Sequence, residues 1–431
     1  MVAQALADRL SRRGIHYGWV IVAVTFLTSL TTAGAMGLPG ALILPLSKEF
    51  GWDVAEISSA IAIRLVLFGL MAPVAAALIE TYGVRRIVIA AIGLIVSGLL
   101  LALVMTSVWQ LVLLWGIVVG IGTGMTALVL GAIIATRWFV ARRGLVIGML
   151  TASSATGQLV FLPFAAWLVD HVGWRYALLP TIVALVAVGV LVVIFMRDRP
   201  SDLGLAPYGE APTAAKVAIG APPPAFTWAF TVLREAASNP AFWVLAGTFF
   251  ICGLSTNGLI QSHFISLCAD FGMPAVAAAS TLAMMGLFDL VGTIGSGWLS
   301  DRYDCRALLC WYYGLRGLSL LYLPYSTFTL YGLSLFAVFY GLDWIATVPP
   351  TVRLTAQNFG RERSGVVFGW IFASHQIGAA TAAFGAGLTR SALNTYVPAF
   401  FFAGSMCLVA AAMVWLIRRP PVVVVPVAAP A

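Results

Sequence analysis

Charge is what this chain has least of. Only 9% of its 431 residues are Asp, Glu, Lys or Arg, against about 25% in an ordinary soluble domain. A water-facing surface cannot be built from so few, so hydrocarbon must surround most of the exterior. Metal-ligand spacing is missing too. There is no HExxH and no Cys/His cluster, and the five cysteines (Cys252, Cys268, Cys305, Cys310, Cys407) form no CxxC. A membrane metalloprotease therefore has no support, no cofactor or metal is expected, and the cysteines are read as packing residues. No phosphate-cradling P-loop appears in the connections, which argues against an ATP-driven pump on this chain alone. Nothing in the sequence asks for an enzyme.

What is present is apolar length. Hydrophobic residues make up 61% of the chain, and the mean hydropathy is +0.99. The apolar runs fall at 17–41, 54–79, 86–106, 109–135, 144–168, 175–196, 240–266, 275–300, 306–326, 329–352, 364–388 and 395–417. Each can cross a bilayer as a helix, and the short alternating strands of a transmembrane barrel are absent. The expectation is an all-α membrane protein with about twelve spans. The first run follows Arg9, Arg12 and Arg13 and is too long for a signal-peptide core, so it is read as a retained span.

The net charge of +8 is no nucleic-acid signature, because its basic residues are scattered among short loops. With a cytoplasmic N-terminus, 19 of the 24 Lys and Arg fall at the chain ends or in even-numbered connections. Lys48, Arg175 and Arg390 fall outside these, and Arg64 and Arg316 lie within spans. This asymmetry places both termini inside.

One connection is long. Residues 197–239 open on Arg197-Asp198-Arg199-Pro200 and contain Pro207, Pro212 and Pro222-Pro223-Pro224, a proline density that prevents one continuous helix. It is read as a cytoplasmic linker between an N-terminal six-helix bundle (1–196) and a C-terminal one (240–431). The apolar tail from Pro420 receives no function. An internal repeat supports the division: Gly144, Gly148, Ala152-Ser153 and Gly157 match Gly365, Gly369, Ala373-Ser374 and Gly378 in register. Small residues at such spacing let helix backbones approach closely in lipid.

The loop Gly297-Trp298-Leu299-Ser300-Asp301-Arg302 resembles the signature loop of the major facilitator superfamily, in which a glycine is followed four residues later by Asp-Arg. Its first-half counterpart, Ala76, Glu80, Thr81, Gly83, Arg85 and Arg86, departs from that pattern at several positions. Three further stretches are similar to bacterial members near the monocarboxylate and oxalate–formate transporters. They are Arg137-Trp138-Phe139 to Arg143-Gly144, Gly173-Trp174-Arg175, and Arg197-Asp198-Arg199-Pro200 to Pro207-Tyr208-Gly209. The resemblance implies alternating access by two rocking, pseudo-symmetric bundles. Spans one, four, seven and ten would line the cavity, flanked by two, five, eight and eleven. The fifth span lacks the Gly-Pro-rich signature typical of drug–proton antiporters in this superfamily. Glu80, Arg85, Asp301 and Arg302 are expected to gate the cytoplasmic face, or else to serve as topology charges.

Deep charges are the remaining signal, since each costs about 2.5–3.5 kcal/mol at mid-span. Arg64 in span two has no acidic neighbour on its own helix and offers a planar fork to a carboxylate. A structural partner from another span is the alternative. Asp343 in span ten suits a coupling proton, or a permanent pairing with Arg316. Asp289 and Arg316 lie at similar depth on consecutive spans and are expected to neutralise one another, with proton coupling the other role for Asp289. His375 follows the repeat-matched Ala373-Ser374 and is a candidate for proton sensing or substrate bonding. On span seven, Asn257, Gln261 and His263 mark a polar stripe suited to a wet cavity or to interhelical packing. Thr123, Thr126, Ser153, Ser154 and Gln158 are the neutral donors of the first half, and Pro349-Pro350 should kink span ten. The sequence thus points to secondary transport of a small organic anion, a carboxylate foremost, with proton symport. Efflux of amphipathic or cationic compounds is the rival, and a non-transporting sensor is disfavoured by the short loops. The expected setting is a monomer in a bacterial inner membrane.

Overall fold

The computed structural model describes residues 2–126, 128–210 and 225–417. The run Pro222–Pro224 and the tail from Pro420 lie outside the described residues. Among the described residues twelve long helices follow in order: α1 (Gly18–Phe50), α2 (Val54–Tyr82), α3 (Val84–Ala102), α4 (Val108–Trp138), α5 (Arg143–His171), α6 (Trp174–Phe195), α7 (Pro240–Asp270), α8 (Ala275–Ser300), α9 (Cys305–Tyr322), α10 (Ser334–Phe359), α11 (Arg361–Leu393) and α12 (Val397–Met413). Among the described residues, ten helices are long and apolar enough to cross a membrane by length and composition. Arg306 and Arg316 sit in α9 itself. No strand occurs among the described residues, only an isolated bridge between Phe139 and Tyr208.

Local chemistry sets the helix ends. Asp53 opens α2 with a capping box, its amide donating to Glu56 Oε2 at 2.9 Å. Asn239 accepts from the amide of Ala241 with Pro240 at the first helical position of α7, and Asp304 accepts from the amide of Arg306. The first span runs nine residues further than its apolar stretch suggested, through Pro45 to a left-handed Gly51. Two hydrophobic clusters follow chain order. One gathers α1–α6 with Ala379, Ala380 and Ala383 of α11; the other gathers α7–α12 with Ala41 of α1 and Leu162 and Ala166 of α5.

Two parts of the linker are structured among the described residues. Its first part straps onto the α4–α5 turn: Tyr208 donates to Trp138 O at 2.8 Å and accepts from the amides of Val140 and Ala141 at 2.9 and 3.0 Å. His16 bonds Ala206 O at 2.9 Å, and Tyr208 packs against the rings of His16, Trp19 and Phe139. Asp198 takes the amide of Arg85 at 2.9 Å. The later part contains an amphipathic helix, Ala225–Ala237. That segment follows the proline run, so proline does not interrupt it. It is held to α11 by Trp370 Nε1 on Ala229 O at 3.0 Å and by an Arg363–Glu235 ion pair.

The repeat seen in the sequence has a physical counterpart. A side chain on Gly157 would strike the Leu30 carbonyl of α1, and one on Gly378 would strike the Phe250 carbonyl of α7. Both glycines permit backbone contact between related helix pairs, α5 on α1 and α11 on α7. Gly148 and Gly369, one register earlier, face open space. The expected outcome is that Gly157→Leu and Gly378→Leu each cost at least about 1–3 kcal/mol through overpacking. Gly148→Leu and Gly369→Leu should stay within about 0.5 kcal/mol of the parent. Thermal melts followed by size-exclusion in detergent would check this, and equal losses at all four positions would refute it.

Candidate functional site

Helix α10 breaks in its middle, and the buried charges collect at the break. Regular helix ends at Asp343 and resumes at Val348, with Trp344–Thr347 in turns and Pro349 in the first turn of the second segment. Pro349 and Pro350 have no amide hydrogen to return to the preceding turn, which is why the helix opens there. Arg316 of α9, 1% exposed, reaches in. Its Nε donates to Asp343 Oδ2 at 2.6 Å, its Nη2 to the carbonyls of Asp343 (2.6 Å) and Trp344 (3.1 Å), and its Nη1 to Cys252 Sγ at 2.9 Å.

This corrects one expectation. Arg316 pairs with Asp343, not with Asp289. The break presents both the Asp343 carboxylate and freed carbonyls to the guanidinium, a denser set of acceptors than Asp289 offers. Asp289, 4% exposed, instead accepts from the amide of Ile345 at 2.9 Å and from Thr293 Oγ1 at 3.1 Å. Asp343 Oδ1 is buried without a partner. Two carboxylates thus share the neighbourhood of one guanidinium.

Arg64 stands apart. It is 4% exposed, and its Nη1 donates to the α1 carbonyls of Ala35 (3.4 Å) and Met36 (3.1 Å). Its Nε has no partner among the described residues. No carboxylate pairs with it among the described residues. One turn along α1, Gly40 packs on the backbone of Gln261 in α7. Between Ile251 and Cys268 every α7 residue is buried except Asn257 and Gln261, which are half-buried. Their shared face therefore borders accessible space. The helix is wound as a π-helix over Leu254–Ile260, next to this face, as α4 is over Val112–Val119.

His263 does not join that stripe. Two residues on from Gln261, it points across the helix, fully buried, with Nε2 on Ala383 O of α11 at 2.7 Å and its ring against Tyr396. His375 is 7% exposed, lies parallel to Phe372 at 5.7 Å and tilts on Phe249 at 4.8 Å. Its Nδ1 has no partner, and both amide atoms of the neighbouring Gln376 are buried without one. Gln376 was not singled out in the sequence. It packs on Gly69 of α2.

The neutral donors Thr123 and Ser153 bond back to their own helices, and Thr126 reaches Thr32 of α1 at 3.3 Å. The side chains of Ser154, Gln158 and Glu80 lie outside the described ones. In the signature loop Asp301 pairs with Arg353 of α10 at 2.9 Å, and Arg353 also takes the Ser300 carbonyl. Arg302 covers the Trp298 ring at 4.0 Å. Arg85 donates to Val193 O of α6 at 2.6 Å. Arg353 is a partner that spacing alone had not identified.

The geometry predicts strong coupling between Arg316 and Asp343. Arg316→Met should cost about 3–5 kcal/mol, because it leaves a buried carboxylate uncompensated. Adding Asp343→Leu should recover part of that loss. Melting curves of the two single variants and the double would decide it, and strictly additive losses would disprove the coupling.

A family model described as Major Facilitator Superfamily matches residues 21–383. The chain is similar to "Monocarboxylate transporter 13" of Rattus norvegicus, 27% identical over 401 residues, covering 91% of this chain and 87% of that protein. It is also similar to "Uncharacterized MFS-type transporter YcxA" of Bacillus subtilis (strain 168), 24% identical over 388 residues, covering 88% and 90%. Among solved structures it shares its fold with a bacterial homologue of the human lysosomal transporter Spinster in an inward-facing and occupied conformation. That match has a TM-score of 0.70 at 16% identity and covers 93% of this chain and 97% of the other. With the match spanning most of the chain and twelve helices in place, this protein belongs to the Major Facilitator Superfamily as a multi-pass membrane transporter, not an enzyme.

Proposed function

We propose that the transporter carries a small organic anion, a carboxylate foremost, by alternating access with proton coupling. The observation that carries this reading is Arg64, a buried guanidinium held by backbone carbonyls and facing no carboxylate among the described residues. A permanent cation in a low-dielectric setting is stabilised by an anion, and a planar fork suits a carboxylate. Asn257 and Gln261, near the place where α1 meets α7, would bond the remainder of the solute. The similarity to proteins named monocarboxylate transporters agrees with this assignment.

The proton would reside on Asp343, which pairs with Arg316, or on Asp289, which accepts from the Ile345 amide and Thr293. His375 is a further carrier on this reading. Residues 1–196 and 240–431 would rock as two bundles about the linker 197–239. The named contacts between them, Ala55 with Ser391, Ser58 with Gly387, Gly40 with Gln261 and Gly69 with Gln376, run from mid-depth to the end away from the termini. They support a state closed at that end. With both termini cytoplasmic in a bacterial inner membrane, as the distribution of Lys and Arg suggests, that state faces inward. The loop charges Asp301, Arg302, Glu80 and Arg85 would gate the opposite end. A monomer is sufficient for this cycle.

Proteoliposomes offered labelled monocarboxylates and dicarboxylates, with and without an inward proton gradient, test the assignment. Uptake should rise with the gradient and fall at least 100-fold in Arg64→Gln. Arg175→Gln, which loses a half-exposed pair with Glu49 and contacts with the Leu103 carbonyl and the Trp174 ring, all outside the proposed site, should transport as the parent does. Full carboxylate uptake by Arg64→Gln would remove Arg64 from the site. Flux of lipophilic cations with none of carboxylates would favour the efflux reading, in which the two carboxylates face a cation.

A further inference from the structure

Helix α8 presents one stripe to α10. Met285, Asp289, Gly292, Ser296 and Ser300 recur at three- and four-residue spacing, and each meets α10. The Met285 backbone packs on Gly341, Gly292 on the Leu342 carbonyl, Asp289 on the Ile345 amide, Ser296 on the Ala346 carbonyl, and the Ser300 carbonyl on Arg353. The break in α10 therefore lies against side chains able to complete its backbone.

The accounting at the break is specific. In an unbroken helix the amide of residue 350 would donate to the carbonyl of residue 346. Pro350 has no such hydrogen. In hydrocarbon the Ala346 carbonyl would stay unpaired at a cost of several kcal/mol. It is instead met by Ser296 Oγ, which donates at 2.5 Å from a side chain 1% exposed. The Ile345 carbonyl is taken by the amide of Val348 at 2.9 Å. The carbonyls of Asp343 and Trp344 are taken by Arg316, and the amide of Ile345 by Asp289.

We propose that Ser296 supplies the hydrogen that Pro350 lacks, making the α10 break a built hinge clasped by α8 and α9. Ser296 is on this account a positioning residue for transport: it acts through α10 and does not contact the solute. The hinge leaves the segment Val348–Phe359, which carries Arg353, free to tilt against Ser334–Asp343 without exposing backbone. The proposal rests on the chain being a transporter and is independent of which solute it carries.

Hydrogen–deuterium exchange of the full chain in nanodiscs, read on peptides covering 341–352, tests it. Ser296→Ala should speed exchange there at least tenfold, and Ser296→Thr, which keeps a hydroxyl, should exchange as the parent does. Ser296→Ala combined with Pro350→Ala should return to parental exchange or slower, because residue 350 then has its own amide. Unchanged exchange in Ser296→Ala, or an acceleration that neither threonine nor Pro350→Ala reverses, overturns the proposal. Should Ser296→Ala alone fail to fold, the comparison moves to the Pro350→Ala background. There Ser296→Ala and Ser296→Thr must behave alike, and a difference between them would equally overturn it.

Discussion

Hydrocarbon offers no hydrogen bonds, so every backbone group within the membrane must find its partner in the protein. Most of this chain meets that demand by being continuous helix. Where α10 opens, the demand falls on side chains, and the deep polar residues of α8 and α9 are found meeting it. Arg316 spends three of its N–H groups on acceptors of α10, two of them backbone carbonyls. Asp289 takes a backbone amide and Ser296 serves a backbone carbonyl. The charges and the helix break are one feature. The prolines leave the Ile345 and Ala346 carbonyls without helical donors, and the turn at Trp344–Thr347 frees the carbonyls of Asp343 and Trp344 and the amide of Ile345, which bind Arg316 and Asp289.

The same constraint explains why the two halves look so different electrically while sharing a repeat. Thr126, where α4 turns, and Thr347, at the end of the α10 break, are separated by the same 221 residues that separate Gly157 from Gly378. In α4, residue 126 bonds back to Thr123 and across to Thr32 with uncharged hydroxyls. In α10 neutral groups close part of the break, Ser296 on the Ala346 carbonyl and the Val348 amide on that of Ile345, and Arg316 and Asp289 complete it with charge. Related backbone departures have thus been completed by different chemistries, which leaves Arg64 as the lone deep cation paired with no carboxylate among the described residues of the first half.

Much of this was legible in the sequence. Twelve apolar runs predict the twelve long helices found among the described residues, and the kink at Pro349-Pro350 follows from missing amides. The deep residues Arg64, Asp289, Arg316 and Asp343 were visible because charge in hydrocarbon needs a reason. The Arg316–Asp343 pairing stands among the sequence's alternatives, while the Asp289–Arg316 pairing rests on equal depth alone; the acceptors freed by the break decide between them. His263 was grouped with Asn257 and Gln261 by nearness in sequence, although two further residues turn a side chain by about 200°. Ser296 and Gln376 carry no charge and stand in apolar helices, so only their contacts distinguish them from packing residues. The helix within the linker escaped notice because the proline density was averaged over a segment in which the prolines all precede it.

Arg64 and the α10 cluster address opposite sides of one energetic problem. A carboxylate entering the membrane loses its hydration, and a guanidinium already stripped of water recovers part of that loss, since the cost of burying the cation was met during folding. Among the described residues Arg64 is held by carbonyl dipoles and faces no carboxylate, so an arriving anion has no resident one to displace there. Arg316, saturated by Asp343 and the α10 backbone, offers no comparable opening. On the proposed reading this division of labour lets one buried arginine bind while the other holds a hinge. The excess carboxylate beside the hinge is then the group whose charge can change without unpairing either arginine.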